Sequence, residues 1–133
     1  QQSTGEMVSL VRKLREENPT LFNTAFQGQS QLAESLIPVV EKGDGKEFMR
    51  IIRQGERNLE AIGVVSEFSK QIIRKIEDIG GAAKMCGACA TVGPTGIILA
   101  YHKDKTKVEK IARSYNLPYF STALGVEGVK QEL

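Results

Sequence analysis

Residues with chemical potential crowd into one short stretch of this 133-residue chain, Lys84-Met85-Cys86-Gly87-Ala88-Cys89-Ala90. Small residues dominate from Gly87 to Gly96. A loop of glycine and alanine lets another backbone, a phosphate or a carboxylate approach closely, because no side chain blocks it. Lys84 adds a fixed positive charge beside it. Cys86-Gly87-Ala88-Cys89 is a C-x-x-C, the spacing of thiol redox sites. Such a site wants the motif at the start of a helix, whose N-terminus acidifies the first thiol. The residues that follow, Ala90-Thr91-Val92-Gly93-Pro94-Thr95-Gly96, start helices poorly. A structural zinc site needs about four ligands, and His102 is the only histidine. No metal site is therefore expected, and both cysteines are expected to be reduced, unreactive and packed in a tight loop. His102 reads as a surface residue rather than a base.

The elements that must position this stretch follow from punctuation and periodicity. Gly80-Gly81 stops a helix. Ala82–Cys86 and Ile97–Tyr101 are apolar runs of strand length on either side of the small-residue loop, and strands joined this closely pair antiparallel. Upstream, Ser3-x-x-Glu6 offers a capping box to a helix with Met7, Leu10, Val11 and Leu14 on one face. Asn18-Pro19 stops that helix and opens the next, with Asn as cap and Pro in the first turn. Its stripe is Phe22, Ala25, Phe26, Gln29, Leu32, Ala33, Leu36 and Val40, with Pro38 expected to bend it or end it early. Asp44 caps a third helix that buries Phe48, Ile51, Ile52, Gly55, Leu59 and Ile62. Gly55 in mid-helix costs about 1 kcal/mol against Ala, which suggests a close helix–helix contact. Ser66 caps a fourth helix with Phe68, Ile72, Ile73, Ile76 and Ile79 inward and a solvated face of Lys70, Arg74, Lys75, Glu77 and Asp78. Downstream, Asp104 caps a helix through Val108, Ile111, Ala112 and Tyr115 that ends at Asn116. Residues 118–124 read as a strand, and 125–130 as its continuation or a hairpin. The expected fold is α+β, an antiparallel sheet with helices covering one face, built as a single domain over residues 1–133.

Composition narrows the function. The 41% hydrophobic and 26% charged fractions are ordinary for a globular protein. A net charge of +2 is too small to argue for nucleic acid or a membrane surface. No apolar run approaches membrane-spanning length, and no secretory signal is visible. With two cysteines this points to a reducing, cytoplasmic setting. The chain starts Gln1-Gln2 rather than with Met, as an excised piece would. No G-x-x-x-x-G-K-[ST] phosphate loop occurs.

Lys84, Gly87 and Ala88 match the third motif of the GHMP small-molecule kinases, roughly K-x-x-G-A-G-G-G-G, while Cys89 and Ala90 stand where that family usually has glycine. Ser3-Thr4-Gly5-Glu6-Met7-Val8 resembles the entry to the C-terminal domain of the mevalonate kinases in that family. The resemblance implies a ferredoxin-like sheet packed by helices and half of an ATP-dependent enzyme. That enzyme would phosphorylate a small alcohol, mevalonate first, in isoprenoid precursor synthesis, with phosphomevalonate and homoserine as rival acceptors. It further implies ATP and Mg²⁺ in the full-length enzyme and neither bound to this piece alone. The implied partners are an N-terminal kinase domain and the small-molecule acceptor, with a homodimer as a further assembly. The family's catalytic residues lie in its N-terminal domain, so no catalytic residue is expected here. Residues near the substrate and phosphate loop would be Lys84, Gly87, Ala88, Cys89, Ala90 and Thr4, the last either reaching the acceptor or only capping its helix with Ser3. The other readings are a non-catalytic ligand-binding α+β module, which the altered glycine run favours, and a C-x-x-C thiol redox protein.

Overall fold

The computed structural model describes residues 4–87 and 96–122. Seven elements follow in the order α1 (Thr4–Glu17), α2 (Pro19–Lys42), α3 (Gly45–Ala61), α4 (Glu67–Asp78), β1 (Ala82–Cys86), β2 (Ile97–Tyr101) and α5 (Lys105–Ser114). The punctuation works as its chemistry requires. The Asn18 side chain accepts the Leu21 N–H at 3.1 Å, with Pro19 in the first turn. Asp44 accepts the Glu47 N–H at 3.0 Å, Ser66 the Ser69 N–H at 3.2 Å, and Asp104 the Thr106 N–H at 3.0 Å. Each satisfies a helix N–H that has no intrahelical partner. Gly43 ends α2 at φ +66°, and Asn116 adopts φ +57° just beyond α5. Ser3, half of the expected capping box, lies outside the described residues.

Pro38 does not shorten α2, which runs four residues past it to Lys42. Leu36 and Val39, on either side of it, pack on the core cluster of Phe48, Ile52 and Ala82. That packing offsets the lost backbone bond. Residues 117–122 form no strand, against the expectation for 118–124. Leu117 turns back onto the core, its N–H bonded to Ala112 O at 2.9 Å, while Phe120 is 80% exposed. The aromatic residues there carry strand propensity but have no partner strand to pair with among the described residues. The expected strand or hairpin at 125–130 lies outside them.

β1 and β2 are antiparallel, with Ala82 opposite Tyr101 and Cys86 opposite Ile97. Helices cover both faces of this ribbon, not one. Ala83, Met85, Ile98 and Ala100 pack with Ile72, Ile73 and Ile76 of α4 and Val108 and Ile111 of α5. On the opposite face, Ala82, Leu99 and Tyr101 pack with Phe48 and Ile52 of α3 and Leu36 and Val39 of α2. The reason is in the strands themselves. Neither alternates polar with apolar over its length, which is the pattern of a sheet buried on both sides. The result is an α+β fold with the hairpin held between two helical layers, and α1 packs outside α2.

Gly81 is where helix and strand meet most tightly. A Cβ there would come within 2.9 Å of both Ile76 O and Tyr101 O. The Gly81 N–H bonds Ile76 O at 2.9 Å, so the chain leaves α4 and enters β1 with no room for a side chain.

Candidate functional site

β1 delivers the Lys84-x-x-Gly87 stretch to the end of the hairpin, and its outer edge is sealed from the side by α3. In an antiparallel pair, successive residues point their backbone groups alternately toward and away from the partner strand. Gly81 and Met85 point away from β2. The Arg53 guanidinium donates to Gly81 O, with Nε at 3.0 Å. Glu56, one helical turn further along the same face of α3, accepts the Met85 N–H on Oε2 at 2.8 Å. Two side chains thus stand in for a third strand. Ion pairs close the seam outside them. Arg57 bonds Glu60 at 3.0 Å and also bonds Glu77, and Arg74 bonds Glu60 at 2.6 Å, tying α3 to α4 around the edge of β1. The face expected to be simply solvated is therefore split. Lys75 and Asp78 are exposed, whereas Arg74 and Glu77 belong to this seam.

Lys84 is half-buried and lies on the α2–α3 side of the ribbon. Its Nζ donates to Met85 O at 2.7 Å, and its Cε passes within 3.8 Å of where a Gly55 Cβ would sit. Beside it, Asn58 Nδ2 donates to Gln29 Oε1 at 3.3 Å across α2 and α3. Gly55 therefore marks a crossing of side chains, not backbone touching backbone. Gly87 follows β1 at φ +76°, a left-handed conformation that favours glycine. The structure brings Lys84 and Gly87 to the same strand end. Thr4 opens α1 on the outer helical layer and is exposed. Ala88, Cys89 and Ala90 lie outside the described residues.

Cys86 is a free, half-buried thiol in the last position of β1. It ends a strand and does not open a helix, the position that a C-x-x-C redox site wants. His102 is half-buried and bridges two elements, a correction to its reading as a surface residue. Nδ1 accepts the Asp104 N–H at 2.8 Å, so the ring hydrogen sits on Nε2, which donates to Ile79 O at 2.9 Å. The imidazole ties the end of α4 to the turn before α5.

The residue that sequence reasoning missed is Glu56. It is fully buried, at 0% exposure, and burial pushes its carboxyl above the usual carboxylate range. The Met85 N–H, Lys84 and Arg57 pull the other way, and Glu60 adds to the rise. A signal existed. Phe48, Ile52 and Glu56 recur at a spacing of four, which places Glu56 in the middle of the apolar stripe of α3.

The fit to a nucleotide can be tested on these residues. Several cations of α3 and α4 already have partners: Arg50 pairs with Glu47, Arg53 with Gly81 O, and Arg57 and Arg74 with the acids of the seam, although Arg74 Nη1 is buried without a hydrogen bond. Among the described residues, no three Asp, Glu, His or Cys side chains gather as a cation would need. The described residues do not form a phosphate or metal cradle. Among them no helix is long and apolar enough to cross a membrane.

The α+β fold is consistent with the C-terminal domain of a small-molecule kinase. The family described as GHMP kinases C terminal matches residues 36–119, more than half of the chain, and the chain belongs to that family. GHMP kinases use ATP, and their C-terminal domain works with an N-terminal kinase domain. No curated relative matches the chain.

Proposed function

We propose that this chain is the C-terminal half of an ATP- and Mg²⁺-dependent kinase that phosphorylates a small alcohol, with mevalonate as the leading acceptor. Phosphomevalonate and homoserine are the rival acceptors in the same class. The observation that carries the reading is the union of the family match over residues 36–119 with the strand end it contains. There Lys84 and the left-handed Gly87 stand at the mouth of the small-residue stretch. In this reading residues 87–90 face the N-terminal domain and the acceptor cavity, and the N-terminal domain supplies the nucleotide cradle and the catalytic groups. Thr4 opens α1 and either reaches that cleft or only caps its helix with Ser3. One domain spans residues 1–133 and the protein works in the cytoplasm. A non-catalytic ligand-binding module is the second reading, favoured by Cys89 and Ala90 where the family usually has glycine.

The test is ADP release from ATP and Mg²⁺ with mevalonate, phosphomevalonate or homoserine. The full-length enzyme is expected to turn over one acceptor, and the 133-residue chain alone none. Ala88→Leu should leave the stability of the chain within about 1 kcal/mol, as for an unburied site, and should weaken acceptor turnover in the full-length enzyme. Clear turnover by the chain alone sinks the half-enzyme reading. Unfolding by Ala88→Leu sinks the assignment of this stretch to the cleft.

A further inference from the structure

Glu56 is costlier than stability alone would select. An ionised carboxylate out of water carries a penalty of several kcal/mol unless its oxygens are satisfied. Here Oε2 has the Met85 N–H, and Oε1 is buried with no hydrogen-bond partner. Native proteins carry few such atoms, and each calls for an explanation. The charged groups that act on it are Glu60 and Arg57 from α3, Lys84 from β1 and Arg74 from α4. None of the three cations is spent on Oε1. Arg57 serves Glu60 and Glu77, Arg74 serves Glu60, and Lys84 serves Met85 O.

Its position is as telling as its burial. Met85 has both outward backbone groups held by side chains, the N–H by Glu56 and the C=O by Lys84. Cys86 and then Gly87 follow immediately. Gly87 lies two residues beyond the held amide, at φ +76° in the left-handed region that favours glycine. At the other end of the strand the same helix holds Gly81 O through Arg53, a permanent cation. The end that leads to Gly87 is held by an acid that can change charge.

We propose that Glu56 is a positioning residue of the kinase: by gripping the Met85 amide it sets the direction in which Cys86 and Gly87 enter the cleft. This rests on the reading that the Lys84-x-x-Gly87 stretch faces that cleft. The grip is a charge-assisted hydrogen bond when Glu56 is ionised, shorter and stronger than the bond to a neutral acid. Protonation therefore loosens the strand end without unfolding the domain. Because burial raises the carboxyl above its ordinary range, the change falls at a higher pH than it would for an exposed glutamate. The proton comes from solvent, and no bond other than O–H is made or broken.

Backbone amide NMR of the chain, titrated from about pH 4 to about pH 9, reads the grip directly. In the wild type the Met85 and Gly87 amide signals should move together, with a midpoint above the ordinary carboxylate range. In Glu56→Gln, which keeps an acceptor and the shape but not the charge, that titration should vanish while the fold remains. Glu56→Leu removes the acceptor, and the Met85 amide should exchange with solvent at least about tenfold faster. Should Glu56→Leu fail to fold, Glu56→Gln still decides. Met85 and Gly87 signals that do not respond to the wild-type titration, or that respond identically in Glu56→Gln, overturn the proposal. In the full-length kinase, Glu56→Gln should remove from the pH profile of kcat the step that coincides with the wild-type Met85 amide midpoint, while leaving KM for ATP within about twofold. An unchanged profile also overturns the proposal. If the full-length wild type releases no ADP with any of the acceptors, the kinase reading fails separately, and the amide titration still decides whether Glu56 grips the strand end.

Discussion

Replacing Gly55 with alanine should make this protein more stable, and the size of the effect follows from the structure. Gly55 is buried in the interior of α3, and its φ is not in the left-handed region. A Cβ added there would meet Gln29 Nε2 and Oε1 at 3.6 Å and Lys84 Cε at 3.8 Å, ordinary van der Waals distances. No backbone atom stands in the way. Alanine therefore gains the helix propensity that glycine lacks, about 1 kcal/mol, through the narrower set of conformations open to the unfolded chain. Burying the new methyl contributes up to about 0.8 kcal/mol more. Part of that is offset where it shields the Gln29 amide from water. The expected net gain is about 1 kcal/mol, or about 3–5 °C in Tm for a chain of this length. Urea titration at two protein concentrations measures it, with a rise in midpoint and an unchanged slope. A loss of more than about 1 kcal/mol would refute the reasoning. It would mean that Lys84 and Gln29 need the space over Gly55 and that the seam between α2, α3 and β1 is tighter than its distances indicate.

Gly81→Ala should do the opposite, because its Cβ would sit 2.9 Å from two carbonyl oxygens that belong to packed backbone. A loss of about 2–3 kcal/mol in the same titration is expected, and a neutral result would show that the junction of α4 and β1 can shift. The Arg57–Glu77 pair should show a coupling of about 1 kcal/mol in a double-mutant cycle, discounted because the arginine is 36% exposed. Zero coupling would reduce the α3–α4 seam to surface ornament. The pH dependence of stability tests Glu56 independently. Its folded-state carboxyl binds a proton more tightly than the unfolded one. The folded form therefore holds more protons, and stability falls as pH rises from the ordinary carboxylate range through the raised folded value. Glu56→Gln should remove that fall, and a wild-type curve that rises across the same window would contradict the buried-acid description.

The local grammar of this chain was legible because its signals are covalent or one turn long. Asn18-Pro19, Asp44, Ser66 and Asp104 mark helix starts by chemistry that needs no tertiary context, and each accepts the bond it was expected to accept. The strand limits at Ala82–Cys86 and Ile97–Tyr101 were equally plain, since glycine brackets the first run at Gly81 and Gly87 and opens the second at Gly96. What failed was decided at longer range. Pro38 stays inside α2 because Leu36 and Val39 have a core to pack on, and a proline's local cost says nothing of that. The strand expected at 118–124 depends on a neighbour, and propensity alone does not supply one. The second helical layer over the hairpin was implied by strands without polar alternation, but short apolar runs do not say how many layers bury them.

Glu56 shows where such reading stops and why. A glutamate in an apolar stripe has three ordinary fates: it turns out to solvent, pairs with a cation, or caps a backbone group. Periodicity places the residue on the inner face without choosing among them. The choice is made by the edge of β1, which must satisfy the outward N–H of Met85 and the outward C=O of Gly81 after the chain has closed. Arg53 and Glu56, three residues apart on α3, present a donor and an acceptor with the polarity that this edge needs. An apolar pair at the same positions would bury more surface and leave both backbone groups unpaired, each at about 1–3 kcal/mol. A neutral glutamine could satisfy Met85 with no charge to bury. A titratable acid thus holds the end of β1 nearest Gly87 and a permanent cation the far end, which is the asymmetry that the proposed positioning role of Glu56 requires.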